Sequence, residues 1–130
     1  MRVMLFAAAM DRDLAEALAA EGLAPDARAL PAAEGGEASG TLVAGLRGAS
    51  EALAGEKPDA VLVAGVNDAA LAVTLTAVKL QIPTGWLHDE EAATDGLVAR
   101  VADASLDASA AAGDLAAQVR ALAARKLPAP

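Results

Sequence analysis

Residues 86–91 read Trp-Leu-His-Asp-Glu-Glu and set the single histidine of the chain, His88, beside three carboxylates. An imidazole near a carboxylate is suited to general acid–base work, which makes His88, Glu90 and Glu91 the candidate catalytic residues. The same four side chains could hold a divalent cation only with ligands from elsewhere, so no metal site is expected. Their structural reading is plainer: acidic side chains at a helix start favour its dipole, and His88 fills a turn. A second polar group, Gly65, Asn67 and Asp68, follows the apolar run from Ala60 to Ala64. Asn67 and Asp68 can bind ligand hydroxyls, or either can cap a following helix by accepting a bond from a free N–H in its first turn. Met10 and Arg12 follow the first apolar run. Arg12 is a surface cation unless it turns inward to meet an anion. The chain has no cysteine, which excludes thiolate nucleophiles and disulfides, and no Ser/His/Asp arrangement can be assembled.

Each of these groups stands at the end of a short apolar run, and the runs define the fold. Arg2 to Ala8, Ala60 to Ala64 and Thr84 to Leu87 are continuous rather than alternating, the pattern of strands buried on both faces. Helices are expected from Asp11 to Glu21, stopped by Gly22, and from Ala69 to Lys79. Lys57 to Glu91 is then one βαβ unit, and parallel pairing follows because the helix supplies the crossover. Ala27 to Leu30, flanked by Pro25 and Pro31, suits an edge strand. Ser39 or Thr41 caps a helix to about Leu53, and close packing would explain its Gly45 and Gly48. Asp89 to Gly96 reads as a short acidic helix or turn, Val101 to Leu106 as a fifth strand, and Ala110 to Lys126 as a final helix. In that helix Arg120, Arg125 and Lys126 complement the dipole.

Composition limits the partners. The chain has 130 residues, 55% hydrophobic but only 2% aromatic, with a net charge of −8. One α/β domain is expected over residues 1–127, with 128–130 a frayed tail. No basic cluster is present, so nucleic acid is not an expected partner, nor is an anionic membrane. The apolar run from Met1 to Met10 is too short to span a bilayer, and a cytoplasmic location is the default. The glycine-containing stretch from Pro31 to Gly40 lacks a P-loop lysine, and AAMDRD after the first strand has no glycine. No cofactor is therefore expected. The helix from Ala69 to Lys79 has almost no polar face, which suggests burial on more than one side and an interface for a homo-oligomer.

KPDAVLVAGVNDAA (57–70) and QIPTGWLHDEEAAT (81–94) resemble the KPDVVLVHGD-like and IPVGHVEAG-like segments of the non-hydrolysing UDP-N-acetylglucosamine 2-epimerase family, whose architecture is GT-B. The likeness extends to DRDLAEALAAEGLAPD (11–26), similar to a family helix, and to Glu90, Glu91 and Ala92, similar to the start of its EEANR motif. The resemblance implies an N-terminal domain only, a three-layer α/β/α sandwich with a five-stranded parallel sheet in the flavodoxin-like or Rossmann-like order 2-1-3-4-5. In that order the switch point lies between the first and third strands, where Met10, Arg12, Gly65, Asn67, Asp68 and His88 would line a crevice for a sugar nucleotide.

The departures from the family shape the expected function. The family's GTRPE segment with its catalytic arginine has no counterpart. Val66 stands where the family has Asp, His88 where it has Glu, and Thr94 where EEANR has its arginine. Epimerisation needs a positioned acid/base set and an anchored diphosphate. The expectation is a truncated epimerase-like domain without independent catalysis that retains weak sugar-nucleotide binding. Were it active, it would be an isomerase. The alternative is a non-catalytic module that oligomerises through the Ala69 to Lys79 helix.

Overall fold

Apolar runs that do not alternate need cover on both faces, and here they receive it. Val3–Ala7 (β1), Asp26–Ala29 (β2), Ala60–Ala64 (β3), Thr84–His88 (β4) and Ala104–Asp107 (β5) form one sheet in the order β2-β1-β3-β4-β5. All four pairings are parallel. The helices are Arg12–Ala20 (α1), Ala38–Glu56 (α2), Asp68–Lys79 (α3) and Ala112–Ala123 (α4). The structure is a computed structural model that describes residues 2–7, 12–23, 25–29, 38–64, 68–88, 98, 101–107 and 111–124.

Side chains that alternate across each strand divide the interior into two layers. On one face Met4, Phe6, Val61, Val63 and Trp86 pack with Ala49 and Leu53 of α2 and with Ala70, Val73 and Ala77 of α3. On the other, Val3, Leu5, Leu62, Leu87 and Leu106 pack with Leu18 of α1 and with Leu115, Val119 and Leu122 of α4. This is the expected α/β/α sandwich. Trp86 is 1% exposed and therefore a core residue rather than a platform for a ligand.

The helix ends show how this chain stops its helices. Gly22 has φ +86°, and Leu23 N–H bonds to Leu18 C=O while Gly22 N–H bonds to Ala19 C=O, which is a Schellman motif at the expected stop. The end of α3 repeats that pattern without glycine: Gln81 takes φ 61°, with Ile82 N–H on Ala77 C=O and Gln81 N–H on Val78 C=O. Lys57 takes φ 46° and donates to Leu53 C=O, and Pro58 then blocks any extension of α2. Arg120 donates from its guanidinium to the Glu21 carbonyl, so it serves the end of the neighbouring helix α1.

Several sequence expectations need correction. α2 starts at Ala38, so Ser39 and Thr41 lie within it rather than capping it, and it runs on to Glu56, because the stop is made by the left-handed Lys57. A Cβ at Gly48 would meet nothing within 4 Å, so close packing does not explain that glycine. β5 begins at Ala104 rather than Val101, because Val101 is still helical and Ala102 N–H bonds to Val98 C=O. α4 occupies Ala112–Ala123, inside the expected span. Arg125, Lys126, the 128–130 tail, most of the 31–40 loop and the Asp89 to Gly96 segment lie outside the described residues.

α3 is largely covered by its own chain. Ala70, Ala72, Val73, Thr74, Thr76 and Ala77 are buried, and the two threonines donate to the Ala70 and Ala72 carbonyls at 2.8 Å. Leu71, Leu75 and Val78 are half-buried.

Candidate functional site at the carboxyl edge of the sheet

In a parallel sheet all strands deliver their last residues to one edge, and the loops that leave it are free to carry a site. Ala7 of β1 stands opposite Ala64 of β3, and His88 of β4 stands opposite Asp107 of β5. α1 begins at Arg12, soon after β1, and packs on one face. α3 begins at Asp68, soon after β3, and packs on the other. The chain thus leaves neighbouring strands in opposite directions, which makes the junction of β1 and β3 the topological switch point of the sheet. Both helices point their amino ends at that edge, where the positive end of the helix dipole favours negative charge.

His88 is the last residue of β4, on the strand next to β3. It is half-buried, and its ring centroid lies 5.1 Å from that of Trp86 with the planes tilted by 34°. The buried indole packs against the imidazole. Arg12 and Asp68 are the first residues of α1 and α3, so their backbones stand at the same edge, though their side chains fall outside the description. Met10, Gly65, Asn67, Glu90 and Glu91 also lie outside the described residues. Asp107 was not among the sequence candidates. Its signal lies in the alternation of Ala104-Ser105-Leu106-Asp107, which becomes readable once the strand is known to start at Ala104.

Charge elsewhere is structural. Arg2 pairs with Glu56 and donates its backbone N–H to Asp59 at 2.7 Å, tying the start of β1 to the end of α2 and the start of β3. Arg28 reaches Asp26 at 2.8 Å and Glu56 at 3.5 Å. The Asp26 carboxyl is held below its usual value, chiefly by its hydrogen bond from Arg28. No group of three His, Cys, Asp or Glu among the described residues is placed to hold a metal ion.

Sheet order and helix placement are also found in a set of solved structures. The fold resembles that of UDP-GlcNAc 2-epimerases. The S. aureus MnaA–UDP co-structure superposes with a TM-score of 0.68 at 19% identity, over 90% of this chain and 40% of that one. The Methanocaldococcus jannaschii UDP-GlcNAc 2-epimerase, in complex with UDP-GlcNAc and UDP, gives 0.67 at 15% identity over 91% and 43%. The Neisseria meningitidis enzyme bound to UDP-GlcNAc gives 0.62 at 11% identity, again over 91% and 43%. The chain therefore spans about two fifths of the length of the structures it matches. No family model and no curated protein matches it.

Proposed function

We propose that this domain binds a sugar nucleotide in the crevice at the carboxyl edge and that, taken by itself, it does not catalyse epimerisation. The observation that carries the reading is the divergence of α1 and α3 from neighbouring strands β1 and β3, which makes a switch point bordered by two helix amino ends in a fold whose solved neighbours hold UDP or UDP-GlcNAc. Met10, Arg12, Gly65, Asn67, Asp68 and His88 are the ligand-binding residues of this reading, and Glu90 and Glu91 join His88 as the acid/base candidates. Val66, His88 and Thr94 stand where the epimerase pattern has Asp, Glu and Arg, so the acid/base set and an anchoring cation are both depleted. A cytoplasmic location goes with a nucleotide ligand, and no helix among the described residues is long and apolar enough to cross a membrane.

Calorimetric titration with UDP-GlcNAc, with UDP and the free sugar as controls, tests the reading. Binding tighter than about 100 μM, roughly −5.5 kcal/mol, is expected, with no epimerised product. Absence of heat would refute it.

A second reading, assembly with another copy through α3, is favoured by one observation. Leu46 and Ser50 of α2 and Leu75, Thr76, Lys79 and Leu80 form a groove of about 390 Å³, and Leu80 is 44% exposed. Sedimentation at micromolar concentration checks it: a dimer that Leu80→Asp dissociates supports assembly, and a monomer at every concentration removes it.

A further inference from the structure

We propose that a second copy of this chain seats on the α2–α3 face about a two-fold axis, with Arg47 of each copy facing Glu51 of the other. This pairing rests on the assembly reading above and gives it a geometry.

The face is apolar and continuous. In α3 the side chains of Ala72, Val73, Thr74, Thr76 and Ala77 are buried, which leaves Leu71, Leu75 and Val78, half-buried and spaced i, i+4, i+7, as one stripe on the outer side. Leu75 carries that stripe into the groove of about 390 Å³ between the helices, where Leu46 of α2 and Leu80 join it. Leu80, at 44%, is the only large hydrophobic side chain exposed among the described residues. Thr76 makes no demand on water in the groove, because its hydroxyl donates to Ala72 C=O at 2.8 Å. An apolar centre inside a charged border is the anatomy of an interface between chains.

The charges on that border decide the occupant. Arg47 and Glu51 each follow a groove residue, Leu46 and Ser50, and both are exposed one turn apart on α2, whereas Ala49 and Leu53 turn inward to the core. Neither forms an ion pair among the described residues. Gly48 and Gly55 are the helix neighbours of Glu51, and a Cβ on either would meet nothing within 4 Å, so an incoming side chain has room beside the carboxylate. A two-fold axis that crosses α2 between Arg47 and Glu51 makes the two α2 helices antiparallel and sets each guanidinium against the other copy's carboxylate. Parallel packing would set like against like, so the charges select the antiparallel register. Opposite charges one turn apart are complementary to their own image through that axis, which points to a second copy rather than an unrelated chain. The net charge of −8 opposes contact between copies elsewhere, but this border carries two cations, Arg47 and Lys79, against the one carboxylate of Glu51.

Sedimentation of the full chain and of two charge-reversed variants tests the pairing. Wild type is expected to be a dimer at micromolar concentration. Arg47→Glu puts two carboxylates on the border of each copy and Glu51→Arg puts two guanidiniums there, so each variant alone is expected to raise the dimer dissociation constant about tenfold or more. An equimolar mixture of the two is expected to sediment as a dimer, because every facing pair is then opposite in charge, and that recovery shows both variants to be folded. Variants that dimerise as tightly as wild type, or a mixture that stays monomeric, would overturn the two-fold pairing, while a wild-type dimer that Leu80→Asp dissociates would keep the assembly reading. A wild type that is monomeric at every concentration would remove both and leave the face to a partner other than this chain.

Discussion

Thr84 and Asp103 are bonded twice across the start of β4 and β5. The Thr84 N–H donates to Asp103 Oδ2 at 2.8 Å, and the Asp103 N–H donates to Thr84 C=O at 2.9 Å. Thr84 is fully buried, its hydroxyl donates to Ile82 C=O, and the Asp103 carboxylate accepts from its amide. Asp103→Ala is expected to cost about 1–3 kcal/mol by stranding a buried donor. Asp103→Asn, which keeps an acceptor, should cost less. Urea denaturation with an unchanged m-value checks both.

Gly85 is required by contact rather than by dihedral angle. A Cβ there would lie 2.9 Å from Leu106 Cδ1, 3.0 Å from Leu122 Cδ2 and 3.3 Å from Leu62 Cδ2. Three leucines from three elements converge on it, so Gly85→Ala must displace the layer under α4. A loss of about 1–3 kcal/mol is expected in the same denaturation measurement.

Gln81 holds a left-handed position that glycine fills at the equivalent point of α1. Gln81→Gly removes the strain of a side chain at φ 61° and adds freedom to the unfolded chain, and the first effect is the larger. A gain of about 0.5–1 kcal/mol is expected, read as a raised Tm. Lys57→Gly should act in the same direction.

The Asp26–Arg28 pair predicts a small acid dependence. The Asp26 carboxyl is lowered in the folded state, first by its hydrogen bond from Arg28 and further by the charges of Arg28 and Arg2. Its contribution is therefore complete above the unfolded value of about 3.9 and is lost as pH falls through the lower folded value. Both side chains are well exposed, at 45% and 39%, so solvent screens most of the effect. Asp26→Asn should melt slightly below wild type at pH 7, and the difference should shrink as pH falls through the lowered folded value.

The inner parts of the sheet were legible because burial on both faces leaves a local signature. Ala60–Ala64 has the expected limits, β4 extends one residue further, and the prolines at 25 and 31 correctly flank an edge strand. The stop at Gly22 was readable because a left-handed residue there is cheapest as glycine. Where the chain puts lysine or glutamine in that conformation, at Lys57 and Gln81, sequence gives no sign of the cap. Val101 and Ala102 were misread as strand because a short apolar run carries no period that separates a helix from a strand. Of the candidate site, His88 could be found from its neighbours in sequence. Asp107 could not, because its place beside His88 is set by the register of two parallel strands.

The most direct test of the account is amide chemical-shift mapping of the full chain titrated with UDP-GlcNAc. The account predicts that the signals to move are at the carboxyl edge, at Ala64, His88 and Asp107 and in the first turns of α1 and α3. Arg2, Glu56 and Asp59 at the opposite edge should stay in place. Shifts confined to that opposite edge or to the Leu46–Leu80 groove, or no shifts at millimolar ligand, would contradict it.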